Sequence, residues 1–122
     1  MTEKANNKPK YDLEERTFQF AKSVRIIIKT LPKTIANIED GKQVVKSSGS
    51  TGANYIEANE ALSKKDFLMR VRISRKEAKE SAYWLRLINE TNELDNKNEF
   101  GDLLQEAIEL KKILSAIIEK SK

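Results

Sequence analysis

Residues 43–61 read QVVKSSGSTGANYIEANEA, and this stretch decides the predicted fold of the chain. Its middle is rich in small residues, as a loop would be, yet the stretch keeps the period of a helix. One side of that helix carries residues at spacings of four, three, four and three, which is typical of a helix packed in a bundle: Val45, Gly49, Gly52, Ile56 and Asn59. Glycine inside a helix costs about 1 kcal/mol relative to alanine. The two glycines therefore indicate that another helix approaches closely.

Helices are also predicted on both sides of this stretch. The first helix follows an N-cap at Asp12 with Glu15 three residues on, and it ends before Pro32, which disfavours helix in the residue before it. The second helix, which contains residues 43–61, follows an N-cap at Thr34. The pair Asp40-Gly41 leaves the start of the second helix open.

The third helix follows a capping box at residues 63–66 and is predicted to run to about Asn89. Its core positions also alternate at spacings of four and three: Phe67, Val71, Ser74, Ala78, Ser81, Leu85 and Ile88. A turn rich in Asn and Asp covers residues 89–99, and the last helix carries apolar residues from Phe100 onward. Four helices joined by short turns predict an all-α fold, an antiparallel up-down-up-down four-helix bundle.

The second and third helices are predicted to pack closely along small residues. These are Gly49, Gly52 and Ala53 on the second helix, and Ser74 and Ala78 on the third. A residue without a Cβ atom lets a neighbouring backbone come unusually near. We therefore expect these two helices to lie closest at the two glycines.

Composition limits the chemistry that the chain can perform. The sequence contains neither His nor Cys, which removes the commonest acid–base group, the commonest metal ligand and any disulfide. We expect no catalytic residue, no metal and no cofactor. At 122 residues the chain fits one domain, residues 11–122, after a disordered polar tail, residues 1–10. No signal peptide and no apolar run of membrane-spanning length is evident, so a cytoplasmic location is expected.

Polar residues on the second and third helices are interpreted as contacts between helices. Di-metal sites in bundles use Glu together with His, so the carboxylates of this chain are better explained as structural. Glu57 or Glu80 is expected to pair with a Lys or Arg of the facing helix, and Asn54 to join this pairing. An enzyme that used Glu57, Glu80 and Lys76 as acid and base would need a substrate pocket, which the sequence does not indicate.

The third helix carries the entire charge imbalance of the chain. Residues 63–90 contain eight basic and four acidic residues, and the rest of the chain is neutral. Five of the basic residues lie within about 80° on one side of the helix: Lys65, Arg72, Lys76, Lys79 and Arg86. Such a face, with Tyr83 among the cations, can hold a nucleic-acid backbone. A solvated face, or pairing with acidic residues of a neighbouring chain, remains the alternative.

Two segments resemble a known family. QVVKSSGSTGANYIEANEALSKKDF (43–67) and KEAKESAYWLRLI (76–88) are similar to the bacterial four-helix-bundle proteins named for 23S ribosomal RNA intervening sequences. The positions that match the family pattern are Gln43, Lys46, Ser47, Gly52, Ala53, Asn54, Glu57, Ala58, Phe67, Lys76, Glu77, Glu80 and Trp84.

This resemblance implies a bundle that assembles into a ring, commonly a homopentamer, with no established catalytic activity. It also implies kinship with the accessory variability determinant of retroelements, a basic ring that binds nucleic acid beside a reverse transcriptase. The present chain is less basic than that relative. The function expected from residues and resemblance together is a non-enzymatic homo-oligomeric scaffold that binds RNA or DNA through its third helix. A protein–protein interaction module with no nucleic-acid role is the alternative.

Overall fold

Residues 12–122 are described by a computed structural model, and they form four α-helices. These are α1 (Leu13–Ile28), α2 (Ile35–Asn59), α3 (Lys64–Thr91) and α4 (Lys97–Ser121). This part of the chain contains no strand, so the predicted all-α class is confirmed. The predicted disordered tail, residues 1–10, lies outside the described residues.

Three of the helices begin at a side-chain cap that the sequence predicts. Asp12 Oδ1 accepts a hydrogen bond from the amide of Glu15 at 2.9 Å. Thr34 Oγ1 and Ser63 Oγ each accept one, at 3.1 Å, from the amide three residues further on. Each bond satisfies one of the amides that a helix leaves free at its start. The helix α2 runs without a break through Asp40-Gly41, which settles the start that the sequence leaves open.

Each helix packs mainly against two neighbours. The pairs in contact are α1 with α2, α2 with α3, α3 with α4, and α1 with α4, and α2 and α3 share the most extensive contact. Near the start of α1, Glu14 contacts Asn59, and three residues further on Thr17 contacts Gly52. The residue numbers of the contacts therefore fall along α2 as they rise along α1. Contacts in this order belong to neighbouring helices that run in opposite directions.

The side of α3 that faces the core is the one that the four–three spacing predicts. Val71, Ser74, Ala78, Ser81, Leu85 and Ile88 are all buried. Phe67 is the exception, because it lies near the start of the helix and is only half-buried. The prediction of the core positions of α3 is therefore confirmed except at its first residue.

Hydroxyl groups line the interface between α2 and α3. Ser74 Oγ donates a hydrogen bond to the carbonyl of Thr51 at 2.6 Å, and the hydroxyls of Ser47 and Ser81 lie 2.8 Å apart. All four of these residues are buried. Small side chains allow the two backbones to approach, and the hydrogen bonds remove the penalty of burying a polar group.

The predicted closest approach of α2 to α3 at the two glycines is wrong. A Cβ atom on Gly52 would lie 2.9 Å from Thr17 Oγ1, and one on Gly49 would lie 3.2 Å from Arg25 Nη2. Both glycines therefore face α1. Ala53 is exposed, whereas Ser74 and Ala78 are buried as predicted. The apolar period marked the wrong side of α2, because serine and threonine rather than aliphatic residues fill its interface with α3.

None of the helices in residues 12–122 has the length and apolar character needed to cross a membrane.

Candidate nucleic-acid interface

The helix α3 carries the predicted basic residues on the side opposite the core. It is 28 residues long, which corresponds to about 42 Å. The five predicted residues are all exposed: Lys65, Arg72, Lys76, Lys79 and Arg86. We call these five residues the α3 basic face.

A groove between α3 and α4 collects the central part of this face. Its lining consists of five cationic side chains and one hydroxyl: Arg72, Arg75, Lys76, Lys79, Lys111 and Ser115. The volume of the groove is about 380 Å³. Arg75 Nη1 lies 3.5 Å from Ser115 Oγ, a long hydrogen bond that joins the two helices. Because the lining has no carboxylate, the groove is suited to an anion.

Sequence reasoning found three of the cations in this groove and missed two. It missed Arg75 because that side chain points sideways from α3 toward α4 rather than straight outward. It missed Lys111 because this residue belongs to another helix. Consecutive helices are neighbours in an up-down-up-down bundle, so a groove shared by α3 and α4 could have been predicted from the order of the helices.

The two ends of the α3 basic face lie outside the groove. Arg86 Nε is paired with Glu90 Oε2 at 2.9 Å. Lys65 instead lines a neighbouring, largely apolar groove, whose other residues are Ser63, Asp66, Met69, Arg72, Ile73 and Lys76. Arg72 and Lys76 line both grooves, so a cationic and an apolar surface meet along α3.

Two carboxylates interact with cations that line the groove: Glu77 Oε2 lies 4.0 Å from Lys76 Nζ, and Glu119 feels the charges of Arg75 and Arg72. The Lys122 ammonium, 2.9 Å from Glu119 Oε2, lowers the pKa of Glu119, and the charges of Arg75 and Arg72 lower it further. On the other side of α3, burial raises the pKa of Glu77, and the charge of Glu80 adds to that rise.

An aromatic pair lies further along α3. The rings of Tyr83 and Trp84 are in edge-to-face contact, with their centroids 4.9 Å apart. The Tyr83 side chain is 59% exposed, whereas Trp84 is half-buried and its Nε1 has no hydrogen-bond partner among the described residues. Tyr83 is thus the aromatic ring that accompanies the α3 basic face.

The predicted polar pairing between helices is correct for one residue and wrong for two. Asn54 Oδ1 of α2 accepts a hydrogen bond from Arg70 Nη1 of α3 at 3.3 Å. Glu57 and Glu80 are exposed, and neither forms an ion pair within residues 12–122. Both side chains lie on the outer sides of their helices, where they face solvent. The described part of the chain also holds no cluster of acidic residues that could bind a metal ion.

Fold and site together define a small four-helix protein whose distinctive surface is a cationic groove. A family model described as 23S rRNA-intervening sequence protein matches residues 10–116. The chain belongs to that family, which confirms the resemblance seen in its second and third helices.

One similar solved structure is a crystal structure at 1.70 Å resolution from Bacteroides thetaiotaomicron. It is described as a protein of unknown function from the S23 ribosomal protein family. The two chains are 28% identical with a TM-score of 0.76, over 87% of the present chain and 97% of the other. No curated protein matches the chain.

Proposed function

We propose that this protein is a non-enzymatic, homo-oligomeric scaffold of the cytoplasm that binds RNA or DNA through the groove between α3 and α4. One observation carries the proposal: five cationic side chains line this groove and no carboxylate does. A cation that neutralises a phosphate releases a condensed counterion, and this release drives binding that does not depend on sequence. No cofactor is needed for such a role.

The dimensions of the α3 basic face are compatible with a nucleic-acid backbone. Lys65 and Arg86 lie 21 positions apart in the sequence, which is about 32 Å along the helix. One strand of a duplex presents about nine phosphates over that distance. The cations are therefore spread over a length on which several phosphates can be bound at once.

Assembly would strengthen contacts that are individually weak. The family resemblance implies a ring, and we propose a homopentamer. The charge of +4 per chain becomes about +20 on a ring of five, enough to attract a polyanion at low salt. Repeated copies of the groove would also add their contacts through multivalency.

The test of the proposal reverses two charges in the groove. Arg72→Glu combined with Lys79→Glu should leave the helical content and the oligomer size unchanged, because both side chains are exposed. The affinity for RNA should fall by at least about tenfold, and the slope of log affinity against log salt should decrease by about 2. Gel shifts at several salt concentrations measure both quantities.

The matched control is Lys112→Glu with Lys120→Glu, two exposed residues of α4 outside the groove. This pair changes the net charge by the same amount and should have little effect on binding. Unchanged RNA affinity in the groove variant would rule out the nucleic-acid proposal. A groove variant that runs as a monomer would assign these cations to a subunit interface.

A protein–protein interaction module is the second candidate, and a different observation favours it. The groove beside the cations is largely apolar, and its Met69 side chain is 45% exposed. Apolar area in contact with Lys65 and Arg72 suits a protein partner with acidic and apolar residues. Binding of this kind should depend much less on salt than phosphate binding does.

A further inference from the structure

A second group of cations lies on α1, away from the groove described above. From Arg16 to Ile38 the chain contains five basic residues and no acidic one. Three of these basic residues and one aromatic ring lie within about 60° on the outer side of α1. These four exposed residues, which we call the α1 basic face, are Phe18, Lys22, Arg25 and Lys29.

Gly49 gives one of these cations its place on the surface of α2. A Cβ atom at position 49 would lie 3.2 Å from Nη2 of Arg25 and 3.7 Å from its Nη1. The guanidinium therefore lies across α2 where the glycine leaves room, and Nη1 donates a hydrogen bond to the carbonyl of Ala21 at 3.2 Å. Gly49 thus leaves room for the Arg25 guanidinium at the surface between α1 and α2.

The charges of the α1 basic face are not neutralised within the described chain. Lys22, Arg25 and Lys29 form no ion pair within residues 12–122. Phe18 lies one turn before Lys22, at the end of the row nearest to Glu14 and Glu15, and 59% of its surface is exposed. An exposed aromatic ring beside cations can stack on a base of single-stranded nucleic acid while the cations hold its phosphate backbone. Tyr83 and its neighbouring cations repeat that arrangement on α3.

The two basic faces lie on opposite sides of the bundle. The helices α1 and α3 each pack against α2 and α4 and have little contact with each other, so they occupy diagonal corners. With neighbouring axes about 8–10 Å apart, the outer surfaces of diagonal helices lie about 24 Å apart. The Debye length is about 8 Å at physiological salt. Two polyanions bound on opposite sides would therefore hardly repel each other.

We propose that the α1 basic face is a second nucleic-acid-binding surface, so that one protomer holds two nucleic-acid segments at once and bridges them. The inference rests on the proposed function for the first segment, which the groove between α3 and α4 would bind. The second segment is bound by Lys22, Arg25 and Lys29 through its phosphates, and Phe18 adds a stacking contact where that segment is single-stranded. The protein would then bring two strands or duplexes together.

The experiment measures bridging directly. One RNA duplex is fixed to beads, the full-length protein is added and washed, and a second, labelled duplex is offered. The parent should capture the second duplex. The variant Lys22→Glu with Lys29→Glu should still bind the fixed RNA through its intact groove, but its capture of the labelled duplex should fall severalfold, to the level that free grooves of other protomers in a ring provide. Lys112→Glu with Lys120→Glu should capture as the parent does.

Two further variants separate this inference from the proposed function. Arg72→Glu with Lys79→Glu should keep residual low-salt RNA binding through α1, and combining all four reversals should remove it. If the α1 variant captures the second duplex as well as the parent does, bridging through α1 is overturned and the groove proposal stands. If the α1 variant alone loses all RNA binding and the groove variant loses none, the groove proposal falls, and bridging falls with it. Light scattering on each variant checks that the oligomer size is unchanged.

Discussion

Gly49 and Gly52 lie three residues apart on α2, but their surroundings differ. The position of a Cβ on Gly52 is 2.9 Å from Thr17 Oγ1, a buried side chain, whereas that on Gly49 meets the flexible end of Arg25. Gly52→Ala should therefore lower the free energy of unfolding by about 1–3 kcal/mol through overpacking. Gly49→Ala should be neutral or stabilise by up to about 1 kcal/mol, because alanine favours helix. Urea unfolding at one fixed protein concentration measures both changes.

Thr17→Ala supplies the control for that comparison. It removes the hydroxyl that a Cβ on Gly52 would approach, so it should restore part of the stability lost in Gly52→Ala. The two changes would then be non-additive in a double-mutant cycle. Equal losses with and without the Thr17 hydroxyl would show that the clash lies elsewhere.

Glu77 should make the stability of the fold depend on pH. Burial, followed by the charge of Glu80, raises its pKa in the folded state above the ordinary value of 4.5. A raised pKa means that the folded state binds the proton more tightly. The stability linked to this group is present in full below the unfolded pKa and is lost as pH rises through the folded pKa. Glu77→Gln should therefore raise the melting temperature at pH 7, and the gain should vanish at pH 4. If the gain in melting temperature is larger at pH 4 than at pH 7, the pKa of Glu77 is not raised by folding.

At the scale of helices, α1 is joined to α4 by an ion pair with good geometry. Arg16 Nε and Nη2 donate to the two oxygens of Glu106 at 2.8 and 2.9 Å. We expect Arg16→Gln to lower the free energy of unfolding by roughly 0.5–1 kcal/mol, and by less in 1 M salt, because both side chains are partly exposed. Arg86→Gln is the control, since it breaks an exposed pair with Glu90 within α3. It should have a smaller effect on stability than Arg16→Gln, because both side chains of that pair are exposed to solvent. If both variants lose the same free energy of unfolding, an ion pair between two helices stabilises the fold no more than one within a single helix.

The sequence predicts those features of the helices that depend on neighbouring residues. The caps at Asp12, Thr34 and Ser63 could be predicted because each needs only a side chain and an amide three residues away. The close approach at Gly52 was assigned to the wrong helix. The helical spacing of the apolar residues on α2 is clear from the sequence. The interface of α2 with α3, however, is built from residues with hydroxyl groups, such as Ser74, and a hydropathy pattern counts these residues as exposed. Which side of a helix faces which neighbour depends on contacts between distant residues.

The sequence predicts only the part of the candidate site that lies on a single helix. Arg72, Lys76 and Lys79 share one side of α3, and helical geometry alone places them together. Lys111 enters the groove from α4, so finding it requires knowing which helices are adjacent and how each is rotated. The charges on α1 escaped notice for another reason. The three acidic residues just before Arg16 offset most of this positive charge when charge is summed over the whole helix.

At the scale of the whole molecule, the proposed ring makes a prediction about mass. The chain has a mass of 14.0 kDa, so a ring of five would have a mass of about 70 kDa. Light scattering on a sizing column at low and high salt should show this mass if apolar contacts hold the subunits together. A single 14-kDa species at working concentration would exclude the ring, and RNA binding would then rest on the single protomer.

The contact between Thr17 and Gly52 also restricts the routes by which this sequence can evolve. Any side chain at position 52 meets the Thr17 hydroxyl first, so such a substitution is deleterious while threonine is present. A smaller residue at position 17 relieves the closest of these contacts, and glycine at position 52 remains compatible with it. Substitution at 17 is therefore permissive and must come first. In lineages of the family, a residue larger than glycine at position 52 should have arisen only on a background already changed at position 17.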